Sequence, residues 1–221
     1  MCGRYNITDS PHVRALMIAV GMQPLELPTR CNIAPTEQVP TIHVVDGKPT
    51  LSEMRWWLTP HWSDGPSQKY AMFNARSEAA EKSRAYKGPF KYRRAVIPAS
   101  SFIEWQRTES GKQPYLIEPQ EGVLAFGALW DYWSDGVQEV LSCSILTTAA
   151  TDSFKHIHNR MPVLLKTEQL NTWLDEKTDL ADIYSMLAPY QGGLMSTPIS
   201  TSINSGRVKE QPQVIGETAA V

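Results

Sequence analysis

The hydrophobic pattern of this chain breaks into many short apolar runs, most at strand spacing, with a few helical stretches and no repeat period. Arg4 to Ile7 predicts a first strand. Thr8-Asp9-Ser10-Pro11 then supplies cap residues and a proline suited to a first helical turn, and Val13, Leu16, Met17 and Val20 mark one face of a helix that Gly21 stops. Val39 to Val45 and Pro49 to Trp57 flank Asp46-Gly47, a strong hairpin signal. Leu124 to Trp133 and Val137 to Thr148 do the same around Ser134-Asp135-Gly136. Between these hairpins, Arg94 to Ala99 and Ser101 to Gln106 read as strands, Ser110-Gly111 turns the chain, and Tyr115 to Ile117 pairs back. Ser77 reads as the cap of a helix running to about Tyr86. Arg160 to Leu165 predicts a strand, Thr167 to Trp173 and Asp179 to Leu187 two late helices, and Leu194 to Ile203 a last strand.

This pattern predicts one α+β domain over residues 1–221, a curved, barrel-like, mostly antiparallel sheet with peripheral helices. The tail after about Arg207 reads as loosely held, and no linker marks a second domain. At 42% hydrophobic residues the 221-residue chain has ample material for a core. The formal net charge of −2 excludes a global field that draws in nucleic acid, so any anion site must be local. Cys2, Cys31 and Cys143 show no Cys-x-x-Cys spacing, which argues against a disulfide framework or a zinc ribbon and fits a reducing, cytosolic setting. No apolar run approaches the roughly 18 residues that a membrane span needs.

Three places carry candidate chemistry. Trimming of Met1 would leave Cys2 with a thiol and a free α-amine, whose reference pKa values are about 8.5 and about 7.7–8.0, so both are partly nucleophilic near neutrality. Such a 1,2-aminothiol traps aldehydes as a five-membered ring; the thiol alone, with the amine as base, is an acyl-transfer nucleophile; and the dipeptide taken alone favours an ordinary buried position in a first strand. In Phe102-Ile103-Glu104-Trp105 a carboxylate sits inside an apolar strand, either as a proton shuttle or salt-bridged to an arginine. In His156-Ile157-His158-Asn159-Arg160 no further ligands accompany the histidines, so a lone His158 with a partner is read in preference to a metal site, and Arg160 is placed to hold a phosphate.

Lys82 to Arg94 adds a local basic span, with Tyr86, Phe90 and Tyr92 set among Lys82, Arg84, Lys87, Lys91, Arg93 and Arg94 and no acid between them. Cations with interleaved aromatic faces suit single-stranded nucleic acid. A solvated basic face is the alternative.

Met1-Cys2-Gly3-Arg4, Asn32-Ile33-Ala34-Pro35, Arg55-Trp56, Asn74-Ala75-Arg76-Ser77-Glu78, Arg94 to Trp105, Thr147 within Ile145 to Thr148, and Ile157 to Pro162 together resemble, in order, the motifs of the SOS-response-associated peptidase (SRAP) domain. The resemblance covers essentially the whole chain. It implies a β-barrel-like core and binding of single-stranded DNA at abasic sites, whose sugar aldehyde an N-terminal Cys converts to a thiazolidine. It implies Cys2 as the cross-linking residue, Asn74 as its positioner, and Glu104 and His158 as proton carriers. It further implies Arg4, Arg76 and Arg160 at the phosphates, Pro35 and Trp62 against the bases, and Thr147 as a further DNA-binding residue. A monomer without cofactor or metal, cytoplasmic and nucleoid-associated when on damaged DNA, follows from that reading, as does a weak lyase activity. Two departures stand out: Trp57 where the family has Gly, and Ser101-Phe102-Ile103 in place of Gly-Phe-Tyr before Glu104. An N-terminal-nucleophile amidotransferase or peptidase, and a non-covalent single-strand binder, are the competing classes.

Overall fold

Short-range sterics set the frame of the molecule. In the computed structural model, which describes residues 2–221, Asp46 and Gly47 both take positive φ, 50° and 74°, the turn geometry that matches the twist of a two-stranded hairpin. In chain order the elements are β1 (Arg4–Ile7), α1 (Pro11–Ala19), β2 (Arg30–Ile33), β3 (Gln38–Val45), β4 (Lys48–Trp56), β5 (Asn74–Arg76), α2 (Ser77–Ala80) and α3 (Lys87–Tyr92). There follow β6 (Arg94–Ala99), β7 (Ser101–Thr108), β8 (Gly111–Pro119), β9 (Leu124–Ser134), β10 (Glu139–Ala149) and β11 (Arg160–Pro162). The chain closes with α4 (Leu170–Leu174), α5 (Leu180–Ser185), β12 (Leu194–Pro198) and β13 (Ala219–Ala220).

β10, β4, β3, β6 and β9 pair in a ring, and the β9–β10 hairpin closes it into a five-stranded barrel. Pairing is antiparallel except where β10 meets β4 and β5. A second sheet runs β13-β12-β8-β7-β1-β2. The expected α+β class with a barrel-like sheet is what the chain forms. Every residue of β6 is buried, which accounts for its unbroken apolar run. Tyr5 joins the two sheets, its ring edge-on to Trp56 at 5.5 Å and to Phe126 at 5.8 Å. Burying an aromatic ring of this size contributes about 1.5–3 kcal/mol, so β1 is fastened to the barrel at the strand that leads back to Cys2.

Several boundaries differ from the sequence pattern. Ser77 does not cap a helix reaching Tyr86: α2 is a single turn whose N-cap is Arg76, because Asn74–Arg76 is drawn into a parallel pairing with β10. Arg160 to Leu165 is a strand only to Pro162, with one further bridge from Leu164 to Phe126. Thr167–Gln169 is a 3-10 turn ahead of α4, and Leu194 to Ile203 ends as a strand at Pro198 before a 3-10 turn at Thr201–Asn204. The tail beyond residue 207 pairs through Val214 with Ile199 and through β13 with β12. Asn32, at φ 50°, gathers this end of the chain: its Nδ2 donates to the carbonyls of Ile203, Ser205 and Val208 at 3.2, 3.0 and 2.9 Å.

Candidate active site

β1 sits between β2 and β7, with Arg4 opposite Ile103 and Tyr5 opposite Phe102. Two residues before Arg4, Cys2 is fully buried beside this ladder. Its carbonyl accepts a 2.7 Å hydrogen bond from Asn74 Nδ2, and its Sγ lies 3.7 Å from the Arg4 carbonyl. Asn74 is fixed in turn by β5, paired with Ile145 of β10, and its own carbonyl receives the Tyr86 hydroxyl at 3.4 Å. Asn74 Oδ1 is buried with no hydrogen-bond donor among the described residues. Burial, and after it the negative charge of Glu104, push the Cys2 thiol well above its ordinary value. The sequence suggested a thiol partly ionised near neutrality; desolvation keeps it protonated there instead.

Glu104 is buried on β7, opposite Tyr115 of β8. It lines a cavity of about 330 Å³ together with His158, Trp105, Arg107, Lys112 and Asn204. Glu104 and His158, named from separate stretches of sequence, therefore line one cavity, and the Glu104 charge acts on the Cys2 thiol. His158 is held through Nδ1, which receives the Arg160 amide at 3.0 Å and lies 3.1 Å from the Arg160 carbonyl. Only one of these contacts is a hydrogen bond for a given protonation of Nδ1, so a proton on that nitrogen exchanges one backbone partner for the other.

Arg160 is more committed than a simple phosphate ligand. Its guanidinium makes a bidentate pair with Glu78, at 2.6 and 3.0 Å, and reaches the Thr147 carbonyl at 2.5 Å and hydroxyl at 3.1 Å. Hydrogen bonding by Arg160 holds the Glu78 carboxyl below its ordinary value. Thr147 is fully buried and its hydroxyl donates to the Ala75 carbonyl, so it acts on the surface only through Arg160. Arg76 pairs with Thr147 along β10 and is exposed. Arg4 donates to the Gly3 carbonyl at 2.9 Å and is half-buried, with Gly206 close by.

Pro35 and Trp62 stand apart from this cluster. Pro35 is half-buried in the loop after β2, where Glu37 Oε1 receives the Ala34 amide. Trp62 is 42% exposed, with the Arg84 guanidinium 3.9 Å from its ring centroid, at the wall of a separate cavity of about 410 Å³ that includes Leu58, Tyr70 and Met72. Asp131 anchors this loop, receiving the His61 amide at 3.1 Å, and Trp133 Nε1 donates to the Ser63 carbonyl. Trp57 packs on Phe73 with centroids 5.3 Å apart. The basic span divides: Tyr86 and Phe90 are core, Arg94 is buried with its guanidinium on carbonyls of Phe90, Lys91, Trp173 and Asp175, and Lys82, Arg84, Lys87 and Lys91 face outward.

Sequence reasoning quoted Glu78 and Asn32 inside motifs without giving them a task. A carboxylate two residues after Arg76 and an asparagine before an apolar turn were the available signals. Their partners lie 82 and 171–176 residues away along the chain.

This barrel protein therefore holds a buried cysteine before β1, with an amide on its carbonyl, and a carboxylate and an imidazole that line one cavity. The chain belongs to the SOS response associated peptidase (SRAP) family, whose model matches residues 1–206. The resemblance read from the ordered motifs is thereby borne out. The chain is 31% identical over 222 residues to the abasic site processing protein YoqW of Bacillus subtilis, covering 97% of this chain and 99% of that one. It is 35% identical over 179 residues to the abasic site processing protein YoaM of the same organism, covering 79% of each. Among solved structures, a phage-related protein of Bordetella bronchiseptica matches with a TM-score of 0.70 at 28% identity, covering 90% of this chain and 94% of that one. A Bacteroides thetaiotaomicron protein shares the fold, with a TM-score of 0.72 at 22% identity over 88% of this chain and 92% of that one.

Proposed function

We propose that this protein captures abasic sites in single-stranded DNA covalently, through the N-terminal amine and thiol of Cys2 once Met1, which lies outside the described residues, has been removed. The observation that carries the reading is a chain of contacts among four separate parts of the sequence: Asn74 donates to the Cys2 carbonyl, the Glu104 charge acts on the Cys2 thiol, and Glu104 shares a cavity with His158. Its relatives' names as abasic site processing proteins support it.

The chemistry follows from the groups present. Opening of the sugar hemiacetal exposes the C1′ aldehyde, and Glu104 is placed to move the proton that this needs. The Cys2 amine adds to the aldehyde carbon, giving a carbinolamine. Loss of water, with the departing oxygen protonated by His158 or Glu104, leaves an imine. The protonated thiol then gives its proton to the site, its sulfur adds to the imine carbon, and the nitrogen regains a proton. The sum is aldehyde plus aminothiol giving thiazolidine plus water. Asn74 keeps the Cys2 carbonyl fixed, and its Oδ1 is suited to accept from the new amine. If ring closure lags, the imine permits β-elimination at the 3′ side, which is a weak lyase activity. Arg76, Arg4 and Arg160 are assigned to phosphates, Trp62 and Pro35 to bases.

The test is incubation of mature protein with a single strand carrying one abasic site, followed by denaturing electrophoresis. A denaturant-resistant adduct is expected, absent with Cys2→Ala. Absence of an adduct with protein verified by mass to begin at Cys2 overturns the reading.

A further inference from the structure

Arg107 and Lys112 face each other directly across the β7–β8 hairpin. Like charges at directly opposite strand positions repel, and natural sheets pair such sites with opposite charges. Among the described residues neither cation lies within 4.0 Å of a carboxylate, although Glu109 occupies the hairpin turn and Glu104 the cavity wall. Other arginines of the fold are committed: Arg160 to Glu78, Arg30 to Glu37 and Arg93 to Asp131. Both cations line the cavity that holds Glu104 and His158, at the part of β7 beyond its pairing with β1, which among the described residues runs from Ser101 to Ile103. A cavity of about 330 Å³ accepts a ligand the size of a sugar-phosphate unit.

We propose that Arg107 and Lys112 form a phosphodiester subsite at the mouth of this cavity, holding the linkage next to the nucleotide that enters it. The subsite rests on the DNA-binding reading above and adds to it a contact made by the β7–β8 hairpin. An anion between the two side chains replaces their mutual repulsion with two attractions. The subsite sets the direction of the strand relative to Glu104, which neither Arg76 nor Arg160, both beside β10, can do from their side.

The experiment is a phosphate scan. Affinity is measured for strands that carry an aldehyde-free tetrahydrofuran nucleotide and one uncharged methylphosphonate, moved linkage by linkage past it, against wild type and the R107Q/K112Q double variant. In wild type, neutralising one linkage within about two nucleotides of the lesion analogue should cost about threefold to tenfold in affinity, the scale of two exposed ion pairs. In the double variant the unmodified strand should bind weaker by a similar factor, that linkage should become silent, and the salt dependence should flatten by about 0.7 in log–log slope. The proposal is overturned if no linkage near the analogue matters to wild type, if the same linkage still matters to the variant, or if the variant binds as wild type. Adduct formation on an aldehyde-bearing strand is scored separately with both proteins. Loss of adduct in wild type strikes the covalent reading, whereas an unchanged phosphate profile strikes only the subsite. Matching thermal melts of the two proteins show that the exposed substitutions leave the fold intact.

Discussion

Replacing Asn74 by alanine removes one side chain from the buried junction of β5 and the chain start, and its consequences can be worked through from the contacts. Asn74 Nδ2 donates to the Cys2 carbonyl at 2.7 Å, and this is the bond that ties Cys2 to the barrel. The bond itself contributes about 1 kcal/mol net, and a buried carbonyl left without its donor costs about 1–3 kcal/mol. Because Cys2 and Gly3 lie outside the β1 ladder, the cheapest response is local: residues 2–3 leave their place while β1, held by Tyr5 against Trp56 and Phe126, stays. A local penalty of about 2–3 kcal/mol lowers the ratio of in-register to displaced Cys2 by roughly 30-fold to 150-fold. Single-turnover cross-linking to an abasic strand should therefore slow by about 30-fold or more, with affinity for an undamaged strand within about twofold of wild type. The thiol should respond in the opposite sense. Burial is the main cause of its raised pKa, so a loosened Cys2 becomes more acidic and more accessible, and iodoacetamide alkylation at pH 8 should accelerate in Asn74→Ala. Cross-linking within about threefold of wild type, or a loss that merely follows DNA affinity, would refute the assignment of Asn74 as the positioner of Cys2.

Glu104→Gln should slow adduct formation while leaving DNA affinity intact; since the Glu104 charge raises the Cys2 thiol pKa, alkylation of Cys2 should quicken in the same variant, and slower alkylation would contradict the geometry. Arg76→Ala and Arg160→Ala should both weaken binding to undamaged single strands and flatten its salt dependence, but only Arg160→Ala should also slow cross-linking at saturating DNA, because Arg160 carries the backbone that holds His158; equal effects of the two would deny that support. His43 is buried, bonded to Ser52 at 2.9 Å and stacked edge-on to Trp130, and burial lowers its pKa to about 4. The unfolded chain, with a reference value of about 6.5, then binds more protons between these values, so stability present above pH 6.5 should fall by about 3 kcal/mol as pH drops to 4, and His43→Gln should remove that part of the thermal-melt slope.

The two hairpins, the Ser10-capped first helix and the apolar run Ala95 to Ala99 of β6 were legible in the sequence because each is set by neighbours within a few residues: positive φ at Asp46 and Gly47, the Ser10 hydroxyl receiving the Val13 amide, a short unbroken run of apolar residues. The types of chemistry were legible too, since a cysteine beside the chain start and a carboxylate in an apolar strand are unusual wherever they point. The length of α2 was not, because Asn74–Arg76 pairs with β10 across some seventy residues and that ladder outweighs helix propensity in the following turn. Nor was the state of the site. Whether the Cys2 thiol is ionised depends on burial under elements that the first five residues cannot specify. Asn74 reaches Cys2 over 72 residues and Glu78 reaches Arg160 over 82, so which arginine is committed and which faces outward was decided only when the barrel closed. Local sterics act through the backbone and can be read from it; desolvation and ion pairing depend on which groups the closed fold brings within a few ångströms, and no stretch of sequence holds both partners.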